Sequence, residues 1–229
     1  MRSPNIEGVL RATPPSPVLV DLGSSGETPG VCQEIAGQSV CIGFDPDRRE
    51  LRPADDSPFG TTHIVPRAVT ADGSTAARFF LTKFPYCSST LEPDHESLQA
   101  YLMAPLFEVE SEVSVTASSL GDALDELGID HVDWFKADTQ GTDLRIFRSL
   151  PRPIRDGVLA VDVEPGLINV YRGEDLFVET HEYFMSRGFW LSRLDVKGAV
   201  RMTEASYREF NPDPPNVAGR LAQLLSLIH

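Results

Sequence analysis

The stretch Val18-Leu19-Val20-Asp21-Leu22-Gly23-Ser24-Ser25-Gly26-Glu27 decides how the rest of the chain is read. A short branched apolar run, then an acid, then a run of small residues reads as a buried strand ending in a tight loop. Glycines in such a loop let the backbone come close to a ligand. The next apolar run, Val40-Cys41-Ile42-Gly43-Phe44, reads as a second strand and closes on Asp45. An acid about 20 residues beyond a strand–glycine-loop unit is where a ribose hydroxyl pair is held.

Outward from this pair, strands alternate with helices. A short helix is expected over residues 29–36, capped by Thr28, with a polar stretch over 46–62. Strands are expected over 63–69, weakened by Pro66, and over 78–81, followed by a long irregular segment over 82–97. Ser119 caps a helix in which Leu120, Ala123, Leu124 and Leu127 share one face and Gly128 is the stop. A strand over 132–137 ends at Asp138, and a helix opening at Leu144 is terminated by Pro151. A strand over 158–163 ends at Glu164, and a helix over 174–187 stops at Gly188. A last strand is expected over 189–194, with 199–203 as its partner. This alternation predicts an α/β fold with a mainly parallel sheet and helices on both faces. Ligands of such sheets sit beyond the carboxyl ends of the strands, at a switch point. Here four strands end at or next to an acid: Asp21, Asp45, Asp138 and Glu164.

The 229 residues carry 34 acids against 20 Lys and Arg, a net charge of −14. That balance speaks against a nucleic-acid partner, since a polyanion would be repelled. Only Lys83, Lys136 and Lys197 are lysines. No run reaches the roughly 18 apolar residues of a membrane span. The first residues lack the apolar core of a secretory signal. Cys32, Cys41 and Cys87 form no CxxC pair, so neither a disulfide framework nor a metal site is expected, and a cytoplasmic location fits. The expected organisation is a lead-in over 1–17, one domain over 18–203, and a C-terminal segment over 204–229. In that last segment Leu221, Leu224, Leu225 and Ile228 could dock on this domain or on a partner. The sequence gives no oligomeric state.

Several familiar motifs fail at single residues. A dinucleotide fingerprint G-x-G-x-x-G fails at Ser25, and a nucleophile elbow G-x-S-x-G fails at Glu27. A Tyr-x-x-x-Lys pair fails because Tyr183 is followed by Arg187. A site for S-adenosyl-L-methionine needs a close-approach loop and a ribose acid but no pyrophosphate cradle, and it survives these exclusions. The two opening motifs, together with Val132-Asp133-Trp134-Phe135-Lys136-Ala137-Asp138-Thr139-Gln140-Gly141-Thr142-Asp143-Leu144, resemble the FkbM family of S-adenosylmethionine-dependent methyltransferases. Ser119-Leu120-Gly121-Asp122, Val161-Asp162-Val163-Glu164, Tyr171-Arg172-Gly173-Glu174 and the loop at Cys87-Ser88-Ser89 extend the likeness over roughly residues 18–195.

The resemblance implies a Rossmann-like class I methyltransferase fold with a seven-stranded sheet. It implies a cofactor over Asp21, Gly23, Ser24, Ser25 and Gly26, with Asp45 on the ribose and Ala68 and Asp72 flanking the adenine. The acceptor would be a small molecule or glycan, methylated on a sugar or natural-product hydroxyl. Asp138 and Glu164 would end neighbouring strands about 4.8 Å apart. Two carboxylates there can share a proton, one serving as base, or hold a divalent cation with water. The plainer reading leaves Asp138 holding the cofactor and Glu164 capping a loop before Pro165. His95 is a candidate base in the long loop, against an exposed loop histidine. His131 and His181 read as structural, and His229 as terminal. Lys136 shares a strand face with Asp138 and can pair with an acid there. Arg145, Arg148, Arg152 and Arg155 could bind an anionic acceptor or complement a helix C-terminus. Trp134 and Tyr171 could stack on a ring or pack in the core. Two alternatives stand beside the methyltransferase: a nicotinamide-dependent oxidoreductase, and a non-catalytic scaffold of the same fold, favoured by Glu27.

Overall fold

A computed structural model describes residues 15–24, 34–47, 57–195 and 201–210. The chain divides into two compact units. One holds residues up to 78 together with 114–164; the other holds 79–113 and the residues from 165 onward.

The first unit is organised by a five-stranded, wholly parallel sheet. Its strands are β1 (Val18–Leu22), β2 (Val40–Phe44), β3 (Thr61–Val65), β7 (Trp134–Ala137) and β8 (Ala160–Val163), in the order β3-β2-β1-β7-β8. β1 is buried along its whole length, as expected of a central strand covered on both faces. Val20, Ile42 and Phe135 are fully enclosed. A smaller three-stranded sheet contains β4 (Ala68–Val69), β6 (Val109–Ser118) and β5 (Ala76–Thr82), in the order β4-β6-β5. The boundary between the units falls inside β5 and β6. The expected third strand is thus cut in two around Pro66, whose ring removes a ladder donor.

Six α-helices accompany these strands among the described residues: α1 (His95–Leu98), α2 (Leu120–Glu126), α3 (Asp143–Ser149), α4 (Arg152–Arg155), α5 (Phe177–Ser186) and α6 (Glu204–Phe210). Ser119 caps α2 as its spacing predicts: its Oγ accepts the Asp122 N–H at 3.0 Å and donates to the Asp122 carboxylate at 2.7 Å. Leu120, Ala123 and Leu124 are the buried face. α3 buries Leu144, Ile146 and Phe147, and Phe147 meets Phe135 of β7 edge-on at 5.2 Å.

The seven expected strands are five in the parallel sheet. Residues 189–194 form no strand, and Trp190 is 79% exposed. Their apolar residues fall at 189, 190, 191 and 194, so the segment offers no alternating face that one layer could cover. Its expected partner pairs elsewhere: Met202 bridges Tyr101 in the second unit. The helix expected over 174–187 starts later, at Phe177. Most of the helix expected over 29–36 lies outside the described residues, as do Lys197 and the segment holding Leu221, Leu224, Leu225 and Ile228. No helix among the described residues is long and apolar enough to cross a membrane.

The second unit has its own core of Cys87, Leu98, Phe107, Val170 and Tyr171. The Tyr171 hydroxyl donates to the Cys87 carbonyl at 2.8 Å and its ring meets Phe107 edge-on. Tyr171 is therefore a packed residue, 2% exposed, rather than a stacking platform.

Candidate functional site

Strand register builds the site. Leu22 pairs with Phe44 on one side and with Ala137 on the other, and Ala137 pairs with Val163. The residues that follow, Gly23, Asp45, Asp138 and Glu164, therefore form one row beyond the carboxyl ends of four adjacent strands. The chain leaves β1 for β2 and β3 and returns on the other side at β7, so the order reverses between β1 and β7. Gly23 and Asp138 stand at that reversal.

Gly23 has φ +79°, and a Cβ there would lie 2.3 Å from the Asp138 carbonyl oxygen. Only glycine fits, because both the dihedral and the space exclude a side chain. The Gly23 and Ser24 N–H groups both donate to the Phe44 carbonyl, at 2.8 and 3.2 Å, which folds the loop back over β2. There the Ser24 hydroxyl lies above Gly43, whose missing Cβ would meet it at 2.9 Å. Ser24 Oγ is buried and has no hydrogen-bond partner among the described residues. Asp45 is buried, and its Oδ1 accepts the Asp47 N–H at 2.7 Å. Ser25 and Gly26, also expected to hold a cofactor, lie outside the described residues.

One residue back from the edge runs a charged row. Asp21, Lys136 and Asp162 are paired neighbours across β1, β7 and β8, beside Gly43 of β2. Lys136 Nζ lies 2.6 Å from Asp21 Oδ1, with the two side chains 13% and 11% exposed. Burial alone would pull the Lys136 pKa down. The Asp21 pair and the charges of Asp138 and Asp162 outweigh it and hold the ammonium above its ordinary value. Asp21 is thus engaged inside the sheet.

Asp138 opens a constrained loop. Gln140 has φ +57°, in the left-handed region, and Gly141 follows at +106°. This turn brings the Gln140 amide back to donate to Asp138 Oδ1. Asp143, at the start of α3, is enclosed; burial pushes its carboxyl up to about 6 against the lowering effect of hydrogen bonds from Thr139 and Glu164. Glu164 is exposed, and its backbone N–H donates to Asp143 Oδ2 at 3.0 Å. The arrangement offers carboxylates in a row, one buried neutralising lysine, and backbone without a side chain at Gly23.

The other candidates are not part of this row of strand ends. Ala68 and Asp72 belong to the smaller sheet and the turn after it; Ala68 is buried, while the exposed Asp72 carboxylate accepts the Ser74 N–H at 3.0 Å. His95 is exposed at the first position of α1, in the second unit. His131 sits before β7, at the opposite end of the sheet, and His181 stacks on Phe177. Trp134 packs with Leu19, Cys41 and Phe59. Arg155 Nη1 donates to the Arg148 carbonyl at 2.8 Å, the helix-end role rather than a ligand cluster. Asp143 and the ten-residue strand β6 were not anticipated. For β6 the signal was the alternation in Val109-Glu110-Ser111-Glu112-Val113-Ser114-Val115. Among the described residues no group of three or more His, Cys, Asp or Glu is placed to hold a metal ion. No protein-family model matches the chain, and neither does any curated protein or solved structure.

Proposed function

We propose that the chain is an S-adenosylmethionine-dependent methyltransferase acting on an oxygen, with a sugar or natural-product hydroxyl as acceptor. The finer fold assignment, a class I methyltransferase sheet, is part of the same reading. The observation that carries it is the reversal of the parallel sheet between β1 and β7. It coincides with the glycine loop, and Asp45 ends the adjacent strand.

The residues fit the cofactor. Gly23 exposes backbone, Ser24 Oγ is a buried hydroxyl lacking a partner among the described residues, and Asp45 supplies a buried carboxylate. Gly23, Ser24 and Asp45 would hold it, with Asp21 engaged behind them by Lys136. When bound, the sulfonium supplies a methyl group already activated toward an oxygen. The chain's work is then to align the acceptor and take its proton. Asp138, held by the Gln140 amide, and the exposed Glu164 are the carboxylates at hand for that proton.

Calorimetry with S-adenosylhomocysteine tests this reading. Micromolar-range binding that Asp45→Ala weakens at least about tenfold, as expected for a lost charged hydrogen bond, supports it. No binding at millimolar ligand favours the scaffold. NADH binding lost on Asp45→Ala favours the oxidoreductase.

A further inference from the structure

We infer that Asp143 is a positioning residue whose carboxylate clips the loop carrying Asp138 to the chain at Glu164. The side chain of Asp143 is enclosed at the start of α3, between Thr142 and Leu144, both also buried. Each of its oxygens serves a different segment. Oδ1 accepts the Thr139 N–H at 2.9 Å and the Thr139 hydroxyl at 2.5 Å. Oδ2 accepts the Glu164 N–H at 3.0 Å.

The Thr139 hydroxyl carries the restraint further. It lies 2.7 Å from the Thr142 hydroxyl and accepts the Thr142 N–H at 3.3 Å. These bonds close the turn on both sides of Gln140 and hold it in a dihedral that a residue with a side chain seldom adopts. From there the Gln140 amide reaches Asp138. One buried carboxylate therefore orients both edge acids, Asp138 through the turn and Glu164 through its backbone.

Burying an anion for this purpose is costly. A hydrophobic residue of similar size would fill the space but accept none of the three donors. Asparagine is the sharper comparison. Its single carbonyl can serve Thr139, but its NH2 then faces the Glu164 N–H, donor against donor. The titratable group facing Asp143 from β8 is Glu164, whose negative charge raises it further; from the β7 loop it faces the Thr139 amide and hydroxyl. The clip stands on this geometry alone. That the aligned acids serve methyl transfer rests on the proposed function.

The test is amide NMR on the 15N-labelled full chain across roughly pH 4–8, the span in which a raised carboxyl titrates. The Thr139 and Glu164 amide protons are expected to shift together with one midpoint near 6. Glu164→Gln removes a negative charge that raises Asp143, so the shared midpoint should move down while the two amides still titrate together. Asp143→Asn should abolish both titrations and speed exchange of the Glu164 amide more than that of Thr139. Separate midpoints for the two amides, or a Glu164 shift that disappears in Glu164→Gln, overturn the clip; the latter two measurements do not need the asparagine variant to fold. S-adenosylhomocysteine calorimetry on the same samples separates the two ideas. A shared titration without binding keeps the clip and removes the cofactor reading. Binding without a shared titration does the reverse.

Discussion

The two ends of the parallel sheet are built from the same backbone ladder but handle charge in opposite ways. At the amino end, ties are made by groups that water also reaches. Asp133 accepts the Val18 N–H at 2.9 Å, and His131 bonds Asp130, which is 97% exposed, and the Ser16 carbonyl. At the carboxyl end, Asp21, Lys136 and Asp143 are taken out of water, and Gly23, Gln140 and Gly141 occupy dihedrals that ordinary residues avoid. Folding alone does not require either expense. Among the described residues buried charge is concentrated at the carboxyl end, the end that the proposed function assigns to the ligand.

Breaking the buried pair should give the largest effect. Lys136→Met leaves the Asp21 carboxylate enclosed without its cation, and urea unfolding should show a loss of about 3–5 kcal/mol. The same substitution made in an Asp21→Asn background should cost far less. Equal losses in both backgrounds would remove the charge from the explanation and leave packing. Next comes Gly23→Ala. A methyl 2.3 Å from the Asp138 carbonyl, on a backbone at φ +79°, should cost about 3 kcal/mol and abolish S-adenosylhomocysteine binding. Unchanged binding in a folded Gly23→Ala protein would detach the glycine loop from the cofactor.

The carboxyl end was also the more legible in the sequence, and only in part. The runs before Gly23 and Asp45 could be read because a central parallel strand is apolar throughout and stops abruptly. β2 falls on residues 40–44 as expected, and the Ser119 cap and the Gly128 stop are both in place. Asp45, Asp138 and Glu164 stand at strand ends as expected, but Asp21, read with them, lies inside β1 and Gly23 takes its place in the row. What remained hidden depends on contacts across the chain. That Lys136 chooses Asp21 is set by strand register, and register is a tertiary property. In the sequence Asp143 only precedes the expected helix; the approach of Glu164, from beyond another helix, makes it a clip. Residues 189–194 failed in the other direction. Their apolar content suggested a strand, but content without alternation or a neighbour does not make one.

Titration separates the two ends more finely, and both are expected to lose stability as pH rises, in different windows. Burial raises the folded pKa of Asp143 to about 6 from the model-peptide value of 3.8, so between those values the folded chain keeps a proton that the unfolded chain releases. Stability should therefore fall by roughly 2–3 kcal/mol across that span, and Asp143→Asn should flatten it in urea titrations. For His131, burial lowers the pKa, but the Asp130 hydrogen bond, the Ser16 carbonyl and the charges of Asp133 and Asp130 outweigh it and the net shift is upward from 6.5. Its contribution is then complete below 6.5 and lost as pH rises through the folded pKa. The side chain is 32% exposed and Asp130 almost wholly so, so solvent screens the pair. His131→Ala should cost less than about 1 kcal/mol at low pH and nothing well above neutrality, and added salt should shrink the difference. A larger loss, insensitive to salt, would mean that the amino end also buries a charge. The contrast between the two ends would then no longer distinguish the site from the rest of the sheet.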